Sequence, residues 1–467
     1  MLLASGGDAR ISVPGGANTN LYGASPFPRE TLGYAASTAN DISLSAFEHL
    51  QRLITGWPAG ALLSARAYAV HLDLLRSRIR HAYGLDRKID IVFAPSGTDL
   101  EYVALQLART GAGKPITNIL LGAEEVGSGC ILAGAGRHFA NETAIMPQVA
   151  KGAEVGGLGD TAIVDVPVRN LRGIACDPRE IGESIEQQIR IAHASGRHPL
   201  VHVVHGSKTG LVLPDLATTD RILARHGNRV SIAVDACQAR IEGPAIKAYL
   251  DRGAMVLMTG SKFMGGPPFS GFALIPAGRS GKMSLGVGLG TIFRRAEWPR
   301  RWGVEGLPDG ANPGLLLRLE AAVFELERYS DLSSEARNRV IACFRLAVSL
   351  LAERLGARLV PGNAGVCSVE TATLATIDLT GLPDAPDFLV AQRWHRVLAA
   401  RGIRLGQPVK CVRLPDGRWG GTLRISLSMP LIVELAKLDP VALAARFDRD
   451  MSRITAVLMA ATRRKAG

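Results

Sequence analysis

From about residue 85, short apolar runs alternate with amphipathic stretches, and this alternation narrows the fold more than any other feature. Seven runs read as strands: KIDIVFA (88–94), ITNILLGA (116–123), TAIVDVPV (161–168), PLVHVVH (199–205), RVSIAVDA (229–236), AMVLMTG (254–260) and GFALIP (271–276). Helical patterns lie between most of them, as in TDLEYVALQLART (98–110), ESIEQQIRIAHASG (183–196) and DLATTDRILARHG (215–227). Strands that are apolar along their whole length need cover on both faces, and the intervening helices supply it. The pattern predicts an α/β large domain over 85–300 with a mainly parallel seven-stranded sheet. After about residue 300 the style changes. A long amphipathic helix breaks around Ser330 to Ser334. Then come a strand (370–379), a helix (386–402), a strand (421–428) and a final helix from about Pro440. Residues 301–467 therefore read as a smaller α+β domain. Residues 1–84, irregular and then helical, are expected to pack on the other two parts.

Composition restricts the function classes. The 467 residues are 47% hydrophobic and 21% charged, with 52 glycines, which suits a large packed core with many loops and excludes a disordered protein. The net charge of +12 admits either nucleic acid or small anions as ligands. Aromatics are only 5%, the longest basic run is the terminal TRRKAG, and no zinc-finger or RNP-like pattern occurs, so no nucleic acid partner is expected. The six cysteines, at 130, 176, 237, 343, 367 and 411, form no CxxC pair. A disulfide framework and a metal cage are not expected, and a reducing cytoplasm is. The N-terminus lacks a basic signal-peptide start, and no run of 18 uncharged apolar residues appears, so no membrane association is expected.

In open parallel sheets the ligand lies beyond the carboxyl ends of the strands. Five loops there carry chemistry. In FAPSGTDLEYVAL, Ser96, Gly97 and Thr98 precede a helix; they offer an anion site or an ordinary N-cap. In AVDACQA, Asp235 ends an apolar strand with Gln238 three residues on; a carboxylate there is either a cap or the partner of a buried cation. In MTGSKFMGGPPFSG, Lys262 follows 27 residues after Asp235, flanked by Thr259 and Ser261. A lysine at such a tip either snorkels to water or is a desolvated amine able to form a Schiff base. In VVHGSKTGLVLP, a strand ends at His205, which reads as structural, and Ser207 follows. In GGTLRISLSMP, Arg424 lies on a strand of the smaller domain, placed for a salt bridge or for a grip on a ligand carboxylate.

The order of these motifs resembles the fold type I enzymes that use pyridoxal 5′-phosphate (PLP). It looks most like their class V aminotransferase branch, which includes cysteine desulfurases and kynureninase-like lyases. The resemblance covers roughly residues 85 to 430, and Asp-x-x-Gln followed by a lysine and a Gly/Pro turn is its most specific part. It implies an aspartate aminotransferase-like fold whose large domain binds PLP. Lys262 would hold the cofactor aldehyde and act as general acid/base. Asp235 would face the pyridine nitrogen, Ser207 and Gln238 the phenolate oxygen. Gly97, Thr98 and Thr259, with Ser96 and Ser261 beside them, would hold the phosphate. Arg424 would take the substrate carboxylate. The resemblance also implies an amino acid substrate and a homodimer, with Asn312 near the partner's phosphate site. Aminotransfer is the expected reaction; C–S or C–C bond cleavage is the alternative, and a non-catalytic or nucleic-acid-binding protein a more distant one.

Three features depart from that pattern. Ser261 stands where a histidine often precedes the lysine. The loop AEEVGSGC offers Glu125, Val126 or Ser128, and no aromatic ring, for stacking on the cofactor. Cys411 is the cysteine nearest the position of the desulfurase nucleophile, but its spacing does not match.

Overall fold

A computed structural model describes residues 2–463, apart from 16, 59, 61–63, 147, 279–282, 363–370 and 384–385. Thirteen strands are defined among these residues. β1 is Leu32–Tyr34, β2 Asp90–Ala94, β3 Ile116–Leu121, β4 Thr161–Val166, β5 His198–His205, β6 Val212–Leu213 and β7 Ser231–Ala236. β8 is Met255–Thr259, β9 Gly271–Ile275, β10 Arg358–Leu359, β11 Leu374–Asp378, β12 Ile403–Leu405 and β13 Thr422–Ser426.

The central sheet runs in the order β2-β9-β8-β7-β5-β3-β4, with β6 paired to β5 at the side. All seven predicted strands are present. The sheet has eight strands rather than seven because Val212–Leu213 folds back antiparallel on His205 and Val204. Of the seven on the main path, β9 alone runs against its neighbours. The segment from Thr259 to Gly271 is a short loop with no helix, too short for the crossover that a parallel neighbour needs. Strands β2, β3, β5, β8 and β9 are buried at every residue, which accounts for their largely apolar sequences.

The remaining strands form two small sheets. β10-β11-β13 is antiparallel, and β1 pairs parallel with β12. β1 belongs to the N-terminal segment, so that segment is stitched to the C-terminal part of the molecule. Tyr34 adds a hydrogen bond from its hydroxyl to Asp450 Oδ2 at 2.7 Å. The predicted long helix is two, Pro313–Ser330 and Ser334–Leu355, whose first turns are capped by the side chains of Asn312 and Ser333. The expected strand over 370–379 is found as β11; Glu370 lies outside the described residues, and so does Cys367. No described helix is long and apolar enough to cross a membrane.

The Gly265-Gly266-Pro267-Pro268 cluster reads from sequence as a turn that lets backbone approach a ligand. The turn is there, closed by Gly266 N–H donating to Gly260 O at 2.9 Å. The glycines, however, make room for protein. Gly265 sits at φ +84°, and a Cβ there would lie 2.3 Å from Pro430 Cδ. A Cβ on Gly260 or Gly266 would lie 2.4 or 2.6 Å from Ala322 Cβ on the helix Pro313–Ser330. That helix presses directly on the loop bearing Lys262.

Candidate active site

The carboxyl ends of β2, β5, β7 and β8 open onto one cavity of about 450 Å³, a volume typical of small-molecule sites. Ser96, Gly97, Thr98, Ser207, Asp235, Gln238, Thr259, Ser261, Lys262 and Arg424 all line it. Residues far apart in sequence thus converge, as the sheet topology requires.

Lys262 follows β8 and is held by its backbone. Asn40 Nδ2 donates to Lys262 O at 2.6 Å, and Gly265 N–H donates to the same carbonyl at 2.9 Å. Burial lowers its amine pKa from the usual value, and Arg424 adds to the shift, against the pull of Cys237 and Asp235. Asp235 is the penultimate residue of β7, and its Oδ1 accepts from Cys237 N–H at 2.9 Å. Close to it lie two buried groups that sequence reasoning missed. Glu101 is raised well above the carboxylate range by burial and by the Asp235 charge. His202, its Nε2 3.3 Å from Glu101 Oε2, is pushed down to about 4 by burial. Glu101 lies in the first turn of the helix Leu100–Ala112 and His202 in the middle of β5, both within apolar stretches where nothing in the sequence separates them from core.

The Ser96–Thr98 loop combines both readings offered by the sequence. Ser96 Oγ donates to Asp99 Oδ2 at 2.6 Å, so that hydroxyl serves the helix start. Burial raises Asp99 to about 7. Gly97 and Thr98 have no hydrogen-bonded acceptor for their N–H groups among the described residues. They face the cavity next to β8, where a Cβ on Gly97 would lie 3.3 Å from Cys237 Sγ. Thr259 Oγ1 and Ser261 Oγ, on the same cavity, are 2.8 Å apart, and Ser261 Oγ is 3.2 Å from Ser270 Oγ. Serine before the lysine thus joins a hydroxyl cluster that a histidine would fill differently.

Three predicted residues are more heavily engaged than their expected roles imply. Ser207 Oγ donates to Glu125 Oε2 at 2.7 Å and accepts from Leu211 N–H at 3.1 Å. Gln238 Nε2 donates to Ser37 O at 3.2 Å, while its Oε1 accepts from Arg240 Nη1 at 2.8 Å. Arg424 donates to Gln407 O, Ser37 O, Lys208 O and Thr38 Oγ1, at 2.8, 3.1, 3.2 and 3.0 Å. Of its five N–H groups one remains on Nη2, so the arrangement supports a single bond to a ligand carboxylate rather than a bidentate grip. Burial lowers Arg424 to about 10.

Three other candidates, His205, Cys411 and Asn312, do not line the cavity. His205 points at Tyr249, 3.2 Å from its hydroxyl, and burial pushes it down to about 4; it is structural, as its sequence context suggested. Cys411 is 2% exposed, and burial pushes its thiol up to about 12. Asn312 caps its own helix and donates to Gly6 O at 3.0 Å. Val126, 6% exposed, lines the cavity as an apolar surface, and Tyr22, Phe269 and Phe388, which the sequence motifs do not single out, supply aromatic surface. Lys208 was also missed, although like Lys262 it follows the tip of a buried strand. No cluster of metal-ligating side chains occurs among the described residues.

No protein-family model matches this protein, and no curated protein sequence does. Solved structures do. A NifS-like protein superposes with a TM-score of 0.57 at 14% identity, covering 92% of this chain and 99% of its own. The cysteine desulfurase CsdA (S-sulfonic acid) from Escherichia coli gives 0.56 at 18% identity, covering 93% and 95%. The α/β architecture expected from the resemblance is therefore the one observed, and the protein is built on the fold that these two structures share.

Proposed function

We propose that the protein is a PLP-dependent enzyme acting on an α-amino acid, and that it cleaves a C–S or C–C bond in the side chain of that amino acid. The observation that carries the cofactor reading is the placement of Lys262 and Asp235 at adjacent strand ends on one cavity, together with the open N–H groups of Gly97 and Thr98. An amine, a carboxylate and an anion cradle are the three groups that PLP needs. Bound there, PLP would supply the electron sink that makes a bond at the amino acid's Cα labile.

The protein's own residues do the rest. Lys262, whose amine burial makes easier to deprotonate, is placed to bond the cofactor aldehyde and to carry a proton. Asp235 offers a carboxylate to the ring nitrogen. Gly97, Thr98 and Thr259 donate to the phosphate. Arg424 orients the substrate through its remaining N–H. Val126 and Phe269 keep the ring's surroundings apolar.

The choice of a lyase over an aminotransferase follows the structural neighbours, one of which is titled a cysteine desulfurase. A thiol-relay version of that chemistry is not supported at Cys411, which is buried and holds its proton. Cys411→Ala should leave turnover within about twofold; a larger loss of turnover by a well-folded variant would restore a relay role. Arg424→Lys should raise KM by about tenfold to a hundredfold, the size of one lost charge-assisted hydrogen bond, with a smaller change in kcat. Steady-state kinetics checks both. The reaction type is tested by mixing the PLP-loaded protein with a panel of amino acids in a single turnover. A lyase regenerates its starting absorbance and releases a cleaved product; conversion of the cofactor to its amine form with release of a keto acid would establish aminotransfer instead.

A further inference from the structure

The cavity holds more positive charge than its own acids neutralise. Arg424 bonds only carbonyls and a hydroxyl, and no carboxylate lies in salt-bridge range of it among the described residues. Lys208 is its direct neighbour, since Arg424 Nη1 donates to Lys208 O at 3.2 Å. Lys208 Nζ donates to the backbone oxygen of Glu124 at 3.0 Å, which leaves two of its three N–H groups for the cavity that it lines. The nearby carboxylate of Glu125 is already committed: Arg169 Nε meets it at 2.6 Å, and Ser207 and Thr209 complete its shell. Burial, then Arg424 and Lys262, lower Lys208 to about 8. Two adjacent cations that share one nearby carboxylate, itself bonded to a third cation, Arg169, leave positive charge for a ligand to answer.

The two cations offer separate sets of donors. Arg424 has a single N–H left, enough for one carboxylate oxygen. Lys208 has two, and it projects from the β5–β6 turn. Gly210, at φ +87°, tightens that turn so that Lys208 and Thr209 stand at its tip.

We propose that the amino acid taken by this cavity carries a second anionic group at the end of its side chain, a carboxylate or a sulfur oxyacid, and that Lys208 receives it. This deepens the reading of the site given above and rests on it. The test uses succinate, a dicarboxylate without an amine, and propionate, its monocarboxylate counterpart, titrated calorimetrically into cofactor-free and PLP-loaded protein. Succinate is expected to bind at least tenfold more tightly than propionate. Lys208→Met should remove that preference while leaving propionate affinity and cofactor content within about twofold, and Lys208→Arg should retain it. In the PLP-loaded protein, aspartate and cysteine sulfinate should perturb the cofactor spectrum at lower concentration than alanine, and their order identifies the preferred anion. Equal binding of succinate and propionate by the wild type would overturn the proposal. So would a Lys208→Met variant that weakens both ligands equally, since Lys208 would then serve the shared carboxylate. Because the cofactor-free titration needs no PLP, a protein that never takes up the cofactor would contradict the functional reading without deciding this result.

Discussion

Lys262→Ala should lower turnover by about 10³-fold or more, because one side chain both anchors the cofactor and moves the proton. The variant is expected to fold. The Lys262 backbone oxygen, not its side chain, accepts from Asn40 and Gly265, and no described hydrogen bond depends on its amine. The loss would therefore come with an unchanged melting temperature and with no covalent cofactor adduct after borohydride reduction. A small added amine should restore part of the proton transfer, an effect that a merely misfolded variant would not show. Turnover within tenfold of wild type would remove Lys262 from the chemistry.

Asp235→Asn carries the second large effect. The substitution is isosteric, and its amide oxygen can keep the 2.9 Å bond from Cys237 N–H. What it removes is charge, at a point where burial disfavours charge on the neighbours: burial and the Asp235 charge raise Glu101 well above the carboxylate range, and burial pushes His202 down to about 4. Turnover should fall by about 10²- to 10³-fold, comparable with the loss of one preorganised electrostatic contact, while PLP is still bound through Lys262. The pair of readouts matters. Loss of both turnover and cofactor would point to a structural role, and loss of neither would remove Asp235 from the ring.

The parts of this site that can be read in the sequence share a property. Lys262, Asp235 and the Ser96–Thr98 loop are polar residues at the ends of apolar runs, so the strand pattern alone places them on the ligand edge of the sheet. Arg424 comes from a distant part of the sequence, and only the order of motifs connects it to the rest. Other features depend on packing that pattern does not encode. The engagement of Gln238 with Ser37, and of Ser207 with Glu125, joins residues far apart in sequence. The glycines of the β8–β9 turn look ligand-directed in sequence, yet they accommodate Ala322 and Pro430 from distant helices. Lys208 carries the same signal as Lys262, but its loop also holds His205 and Ser207, and the sequence does not rank the three. The short β6 was absorbed into its turn because two residues carry no periodicity.

The central claim is that this cavity binds PLP through Lys262. It is tested most directly by titrating purified protein with PLP, reducing with borohydride and locating the added mass by peptide mapping. The account predicts one visible-absorbing cofactor per protomer and a single modified peptide carrying Lys262. A protein that stays colourless, or one whose adduct is scattered over exposed lysines and persists in Lys262→Ala, would contradict it.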